Sequence, residues 1–251
     1  TVEYRIAKWQ ADRIIYVTDV RQQLHFRQLF AASRKMGVET EFFHVWFGML
    51  KFADGSVAST REGKVINLVD LLDTASNHSY SVVSQKSPDL AEEERRTIAE
   101  AVGLGAIRYT DLSQNPQSDV VFDWDRMLAL EGNTAPYIMY AHARCCSILR
   151  KAVDFAPSVV TIEQPTERSL ALALAHFPEV IVAATESRRP NLLCDHLFET
   201  ASAFGRFWGE CRVLQAESPR LIQSRLSLTW ATARALRHGL NLLGIEALER
   251  M

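Results

Sequence analysis

Three side chains in the middle of the sequence have types and a spacing suited to binding unpaired nucleic-acid bases. Tyr137, Tyr140 and Arg144 follow one another at intervals of three and four residues, so a helix would carry them on one face. Aromatic rings stack on unpaired bases, and a guanidinium can stack on a base or hold a phosphate. Spacing alone leaves a second and more common interpretation open, in which the same side chains pack into a protein core.

The C-terminal segment, residues 201–251, is rich in arginine. It contains seven Arg, four Glu, no Lys and no Asp, a net charge of +3, whereas the whole chain carries −2. Arginine suits bidentate phosphate contacts and stacking. Within the segment, Trp230, Arg234 and Arg237 form a stripe at positions i, i+4 and i+7, which suits nucleic acid or a partner domain. The alternative for both features is the solvated face of an ordinary helical bundle.

Several kinds of chemistry are not indicated. The 251 residues are 47% hydrophobic and 23% charged, which is typical of a globular protein. No run of 18 apolar residues occurs, so we predict no membrane-spanning segment. The seven His lack ligand spacing, so we expect no metal site. The cysteines form no C-x-x-C pair, which favours reduced thiols; they are Cys145, Cys146, Cys194 and Cys211.

The N-terminal part predicts a strand–helix–strand unit. Arg13–Asp19 (RIIYVTD) is a β-branched and aromatic run, and Thr40–Leu50 is a second one. Between them, Arg21–Met36 has helical apolar spacing and is followed by the stop signal Gly37. A βαβ crossover of this length predicts parallel strands. The chain starts without Met or an apolar signal region, and we therefore expect it to be cut from something longer, or matured.

The rest of the chain predicts mainly helices. A polar loop spans 51–64, a helix begins within 69–74, and 111–124 is loop-like. From Ser87 the pattern is helical. The first of these helices begins with capping residues, an early proline and three glutamates. Further helices are predicted for Pro136–Ala152, Glu163–Ala175, Asn191–Trp208 and Pro219–Leu243. The fold class is therefore an α/β remnant with parallel strands followed by an all-α helical bundle, and the chain is mostly helical.

Three long strings resemble arginyl-tRNA synthetases, which are class I aminoacyl-tRNA synthetases. They are ADRIIYVTDVRQQLHFRQLF (Ala11–Phe30), VFDWDRMLALEGNTAPYIMYAHAR (Val121–Arg144) and NLLGIEALERM (Asn241–Met251). The resemblance covers nearly the whole chain in the family's order. It implies the C-terminal part of a Rossmann-type catalytic domain in 1–80, a helical connecting region that contacts the tRNA stem in 81–130, and an α-helical anticodon-binding domain in 131–251.

The resemblance also implies an activity, arginine–tRNA ligation. Such an enzyme activates arginine with ATP, with Mg²⁺ accompanying the nucleotide and no tightly bound cofactor, and then transfers the arginine to tRNA. The family is cytoplasmic and usually monomeric. The family's H-x-G-H signature and two arginine contacts are not among these residues, so we expect the isolated chain to be inactive. A truncated or paralogous tRNA-binding module without aminoacylation activity is the alternative.

The resemblance assigns substrate contacts in the first third of the chain. Gln22 matches the Gln that contacts arginine, and His25 matches a His near ATP. Thr60 and Arg61 fall in the second class I signature, which binds ATP phosphates. Ser59 stands where many members of the family have a Lys, and it carries no charge. This departure leaves Arg61 as the best phosphate ligand and puts the activity of the loop in doubt.

The resemblance assigns the remaining positions to tRNA. Gly and Asn permit the positive φ that a contact loop can require. Trp208 stands at a family aromatic position, and Met251 matches a terminal Met near the anticodon. The full predicted set for tRNA and anticodon binding is Glu131, Gly132, Asn133, Tyr137, Tyr140, Arg144, Trp208 and Met251.

Overall fold

The computed structural model describes residues 1–48, 50–52 and 68–251. The chain folds into two compact units. The first unit holds the described residues of Thr1–Lys64 together with Gln114–Phe122, and the second holds those of Val65–Ser113 together with Asp123–Met251. Thr60 and Arg61, and Ser59 beside them, lie outside the described residues.

The first unit contains the predicted βαβ crossover. Strand β1 (Arg13–Asp19) pairs in parallel with β2 (Glu41–Phe47), from Arg13 opposite Glu41 to Asp19 opposite Phe47. A 3-10 turn (Val20–Gln22) and helix α2 (Gln23–Lys35) connect the two strands. The prediction of parallel strands joined by a helix is confirmed.

Three elements of the first unit, one helix and two short strands, were not predicted. Helix α1 (Val2–Trp9) precedes β1 and buries none of its residues. A short strand β3 (Leu50–Phe52) pairs in parallel with β4 (Val120–Phe122). The predictions that 111–124 is loop-like and that a loop spans 51–64 are therefore wrong at these two strands. A strand of three residues is too short to show the alternation that identifies strands in a sequence.

An aromatic cluster fills the space between the crossover helix and its strands. Phe26 on α2 is buried, and its ring lies 4.7 Å from that of Tyr16 on β1 and 4.6 Å from that of His44 on β2. Phe30 and the buried Phe42 stack at 5.2 Å. Burial lowers the pKa of His44. These apolar contacts hold α2 against the two strands and fix the position of the 3-10 turn before it.

The second unit begins with a helical hairpin. Helix α3 (Leu68–Lys86) packs along α4 (Glu92–Leu112). The two helices approach closely at Gly103, where a Cβ atom would lie 2.8 Å from the carbonyl carbon of Ala75. Glycine is therefore required at this crossing, because any side chain would meet backbone. A single-turn helix, α5 (Trp124–Met127), follows β4.

Four long helices complete the second unit. They are α6 (Ala135–Arg150), α7 (Pro165–Ser187), α8 (Asn191–Glu210) and α9 (Pro219–Leu242). Thr134 and Ser218 cap α6 and α9 with their hydroxyl oxygens, and a proline stands in the first turn of each. Buried side chains from α6, α8 and α9 form the core, among them Ile138, Met139, Leu197, Leu236 and Leu240. The predicted helical bundle is confirmed.

Helix α7 differs from its prediction in length and in character. It continues to Ser187 through Pro178, although a proline normally ends or kinks a helix. Within the described residues it is the one helix long and apolar enough to cross a membrane, judged by length and composition only. This finding is weak evidence, because α7 also packs against α8 and α9 and its Glu167 and Leu170 are buried.

Candidate nucleic-acid interface

Helices α6 and α8 bring three of the predicted nucleic-acid residues together. Tyr140 and Arg144 stand one turn apart on α6, and Trp208 stands in the last turn of α8. The caps of α6 and the core packing of both helices fix these positions. The structure therefore joins residues that are 64 positions apart in the sequence (144 to 208).

The Arg144 guanidinium lies against both aromatic rings. Its central carbon is 4.6 Å from the centre of the Tyr140 ring and 4.6 Å from that of the Trp208 ring. One guanidinium N–H donates to the Tyr140 hydroxyl at 2.8 Å. Tyr140 is 39% exposed and Trp208 is 45% exposed. We call these three side chains the Tyr140–Arg144–Trp208 cluster.

The cluster is a fixed, exposed surface with one positive charge. A cation over an aromatic ring is attracted to the ring's negative face, which holds the guanidinium in place. Arginine retains further N–H donors in such a position, so it can still grip a phosphate or a base edge. Exposed Tyr and Trp faces offer stacking platforms that any base can use.

Tyr137 does not belong to the cluster. Its ring is half-buried and lies 5.7 Å from that of Phe198 on α8, against the core shared by α6, α8 and α9. Its hydroxyl is the atom nearest to a Cβ built at Gly205, at 3.7 Å. The structure thus gives Tyr137 a packing contact between helices.

Side chains from α4 and α8 hold the loop that precedes α6. Glu131, Gly132 and Asn133 are exposed, and Gly132 has a φ of +73°, which favours glycine. The Tyr109 hydroxyl lies 2.6 Å from Asn133 Oδ1. The Asn133 amide donates to Asp195 Oδ1 at 3.1 Å. Burial raises the pKa of Tyr109, so its hydroxyl stays protonated and able to donate.

Met251 ends a tail that is fastened along the bundle. Its half-buried side chain packs against the core, as do the buried Ile245 and Leu248. His142 Nδ1 donates to the Leu248 carbonyl at 2.8 Å, and Arg150 donates to the Glu249 carbonyl at 3.1 Å. Burial lowers the pKa of His142, which favours its neutral form. The terminal residue is therefore held in place by neighbouring side chains.

The predicted substrate contacts of the first unit lie around the start of α2. Gln22 is the last residue of the 3-10 turn, and both Gln22 and His25 are exposed. Asp19 starts the turn by accepting the Arg21 backbone N–H at 2.8 Å and pairing with the Arg21 guanidinium. The Arg21 hydrogen bond lowers the pKa of Asp19. This turn presents Gln22 at the carboxyl end of β1, where ligands of parallel sheets bind.

Comparison with known proteins decides the family. Residues 1–124 match the model of the class I tRNA synthetase (R) catalytic domain, and residues 138–251 match the DALR anticodon binding domain. The arginine–tRNA ligase of Pseudomonas fluorescens is 45% identical over 100% of this chain, and that of Chloroflexus aurantiacus is 46% identical over 100%. The chain belongs to the arginyl-tRNA synthetase family.

Solved structures agree with this family. An arginyl-tRNA synthetase from Thermus thermophilus matches 96% of this chain with a TM-score of 0.87 and 31% identity. One from Plasmodium falciparum matches 100% with a TM-score of 0.85 and 26% identity. The chain covers 44% and 45% of the two ligases and 41% and 43% of the two solved chains, less than half of each.

The two family matches divide the chain differently from its two compact units, because the catalytic-domain match covers the first unit and also α3 and α4 of the second. The DALR match begins within α6 and includes the whole Tyr140–Arg144–Trp208 cluster. The catalytic-domain match includes Gln22 and His25. Within the described part of the chain, no group of three or more His, Cys, Asp or Glu side chains could hold a metal ion.

Sequence reasoning missed two features of the interface. It treated Trp208 separately from Tyr140 and Arg144, because nothing in the spacing joins α8 to α6. It also gave no role to His142, Arg150 or Tyr109, whose contacts hold the tail and the loop. Contacts between side chains distant in sequence leave no periodic pattern, so no signal in a single sequence could have revealed them.

Proposed function

We propose that this chain recognises an arginine tRNA through its helical bundle and supplies part of the active site of an arginine–tRNA ligase. The observation that carries the proposal is the position of the Arg144 guanidinium between the rings of Tyr140 and Trp208. The cluster combines stacking surfaces with a cation, which is the chemistry that binds unpaired bases. An anticodon loop presents such bases.

The other residues of the bundle extend this interface. Glu131, Gly132 and Asn133 form an exposed loop that contacts the same region of the tRNA. Met251 presents its thioether to the same region. Tyr137 supports the tRNA interface indirectly, by packing its ring against Phe198 and so holding α6 against α8. In this division, residues 131–251 are the anticodon-binding domain and residues 81–130 contact the tRNA stem.

Residues 1–80 contribute to catalysis within a longer protein. Class I aminoacyl-tRNA synthetases use ATP as a substrate. Gln22 contacts arginine through its side-chain amide, while His25, Thr60 and Arg61 contact ATP, with Mg²⁺ bound to the nucleotide. No tightly bound cofactor is involved. The protein is a cytoplasmic monomer whose partners are arginine tRNA, arginine and ATP, without a membrane partner.

A tRNA-binding module without aminoacylation activity is the second candidate. Ser59 favours it, because this position in many family members carries a Lys that stabilises charge on the ATP phosphates. A serine hydroxyl has no charge to offer there. The two candidates share the tRNA interface and differ only in the chemistry of the first unit.

The decisive experiment compares two tRNAs. Dissociation constants of this chain are measured for arginine tRNA and for the same tRNA with a replaced anticodon. Tighter binding of the unaltered tRNA is expected, and Arg144→Lys should reduce the preference because lysine keeps the charge but loses the planar fork. Equal affinities for the two tRNAs would contradict the proposal.

A further inference from the structure

A second cationic and aromatic site lies on the other side of α6. Helices α6 and α9 and the C-terminal tail enclose a cleft of about 360 Å³. Cys146, Arg150, Trp230, Arg234, Arg237 and Glu249 are among its lining residues. Trp230 is half-buried, and the three arginines are exposed.

The cleft is separate from the Tyr140–Arg144–Trp208 cluster. Positions 140 and 142 of a helix point about 200° apart around its axis. His142, Cys146 and Arg150 line the cleft from α6, whereas Tyr140 and Arg144 stand on the opposite face of the same helix. One helix thus carries two distinct surfaces.

The charge of the cleft is positive. Arg150, Arg234 and Arg237 face one carboxylate, that of Glu249, and the buried neighbour His142 has its pKa lowered by burial and stays neutral. Contacts among the described residues engage one N–H of Arg150, on the Glu249 carbonyl, and one of Arg237, on the Glu249 carboxylate. A guanidinium has five N–H donors, so these contacts leave most donors of Arg150 and Arg237 available to a ligand.

The Glu249 carboxylate shows what the site accepts. It is an exposed oxyanion paired with Arg237 at the edge of the cleft. Exposed ion pairs contribute little to stability, so a phosphate can join or replace this carboxylate at small cost. The cleft is thus built to hold an oxyanion.

The aromatic part of the cleft identifies the rest of the ligand. The Arg234 guanidinium carbon lies 4.7 Å from the centre of the Trp230 ring. A base can extend this stack, because indole and guanidinium planes both stack on nucleobases. A phosphate group on arginines next to such a stack describes a nucleotide.

We propose that this cleft binds a nucleotide of the tRNA, with its phosphate on Arg234 and Arg237 and its base on the Trp230–Arg234 stack. The proposal rests on tRNA binding by the bundle but not on anticodon reading. It names RNA because the segment 201–251, which contributes Trp230, Arg234, Arg237 and Glu249 to the cleft, carries a net charge of +3. The cleft contributes affinity, while the cluster on the other face contributes the choice of anticodon.

The test uses two double variants with equal loss of charge. Arg234→Gln with Arg237→Gln changes the cleft, and Arg212→Gln with Arg220→Gln removes two exposed arginines outside the cleft lining. Affinity for arginine tRNA is measured across salt concentrations, and phosphate ethylation interference identifies the contacted phosphates. The cleft variant should reduce the salt slope by about one to two units and abolish interference at one or two phosphates.

The control variant should retain those interference positions. The preference for the unaltered anticodon should persist in the cleft variant, which separates this proposal from the proposed function. Trp230→Ala, checked by melting temperature, should weaken binding roughly 5- to 100-fold if a base stacks on it. If the two double variants have equal effects, tRNA binding depends only on the total positive charge of the surface, and the proposal is overturned. Saturable adenosine monophosphate binding lost in the cleft variant, with tRNA interference unchanged, would overturn it in favour of a free nucleotide.

Discussion

Arg225 on α9 and Glu167 on α7 form an ion pair inside the bundle. Arg225 Nε lies 2.7 Å from Glu167 Oε1, and the two side chains are 5% and 0% exposed. The other carboxylate oxygen accepts the backbone N–H groups of Glu163 and Gln164 at 2.6 and 2.9 Å. Arg225 also donates to the Arg212 carbonyl at 2.9 Å. The pair therefore links the start of α7 to α9. Both carboxylate oxygens of Glu167 accept hydrogen bonds, and Arg225 donates to a second acceptor.

Replacing Glu167 with Gln should destabilise the chain strongly. The variant removes the close partner of the buried Arg225 charge and leaves, among the described residues, only the exposed Glu217 carboxylate, 4.0 Å away; breaking a buried pair costs about 3–5 kcal/mol. Glu92→Gln is the matched control, since its pair with Arg96 has side chains 62% and 66% exposed and solvent-exposed ion pairs contribute little to stability. Urea denaturation gives both free energies of unfolding. Similar losses of unfolding free energy in the two variants would show that the buried pair contributes no more to stability than the exposed pair.

The Glu167 carboxylate should also make the free energy of unfolding depend on pH. Burial would raise the pKa of Glu167, but the Glu163 and Gln164 N–H groups and Arg225 lower it below the ordinary 4.5. A lowered folded pKa contributes stability that is present above the unfolded value and is lost as pH falls through the folded value. The difference in unfolding free energy between wild type and Glu167→Gln should stay constant near neutral pH and shrink below about 4.5. A difference that grows on acidification would contradict this assignment.

The buried His142 should titrate below ordinary histidines. Burial lowers its pKa from 6.5, with Arg237 acting in the same direction and the Leu248 carbonyl and Glu249 opposing it. Because the folded pKa is depressed, the unfolded chain binds the proton more tightly, and stability should fall as pH drops below 6.5. NMR titration of the imidazole checks the direction. A midpoint for His142 above 6.5 would contradict the buried, neutral assignment.

Two glycines inside helices should respond oppositely to alanine. Gly103→Ala places a methyl group 2.8 Å from the Ala75 carbonyl carbon, which forces α3 and α4 apart and should cost about 1–3 kcal/mol. In Gly205→Ala the new atom meets only the Tyr137 hydroxyl, at 3.7 Å, and the better helix former should stabilise by up to about 1 kcal/mol. Thermal unfolding of both variants checks the contrast. Equal stability of the two variants would contradict the close contact between α3 and α4 at Gly103.

The sequence predicted those parts of the molecule that rest on local patterns. RIIYVTD is a strand pattern, and β1 occupies its predicted residues Arg13–Asp19, although the expectation that this strand is buried is wrong because none of its residues is buried. Helix α9 begins at its predicted Pro219 because Ser218 caps it, and it ends one residue before the predicted Leu243. In each case the signal lies within a few residues of the element it determines.

The remaining features depend on contacts between distant residues. Helix α7 runs past the predicted Ala175 to Ser187 because its packing against α8 supports it beyond Pro178. The contact of Arg144 with Trp208 depends on how α6 and α8 align, which no spacing encodes. The domain limits at 80 and 130 and the individual contacts to arginine, ATP and tRNA remain predictions.

The most direct test of the central claim is the change that Trp208→Ala makes in anticodon preference, measured together with its melting temperature. Trp208 is 45% exposed, so its removal should leave the melting temperature nearly unchanged. We expect weaker binding of arginine tRNA by about 1–3 kcal/mol, an unchanged salt slope and a smaller gap to the tRNA with a replaced anticodon. Trp208→Phe, which keeps a stacking face, should retain most of the preference. A lower melting temperature with both tRNAs weakened alike, or unaltered binding of both, would contradict an anticodon site built on Tyr140, Arg144 and Trp208.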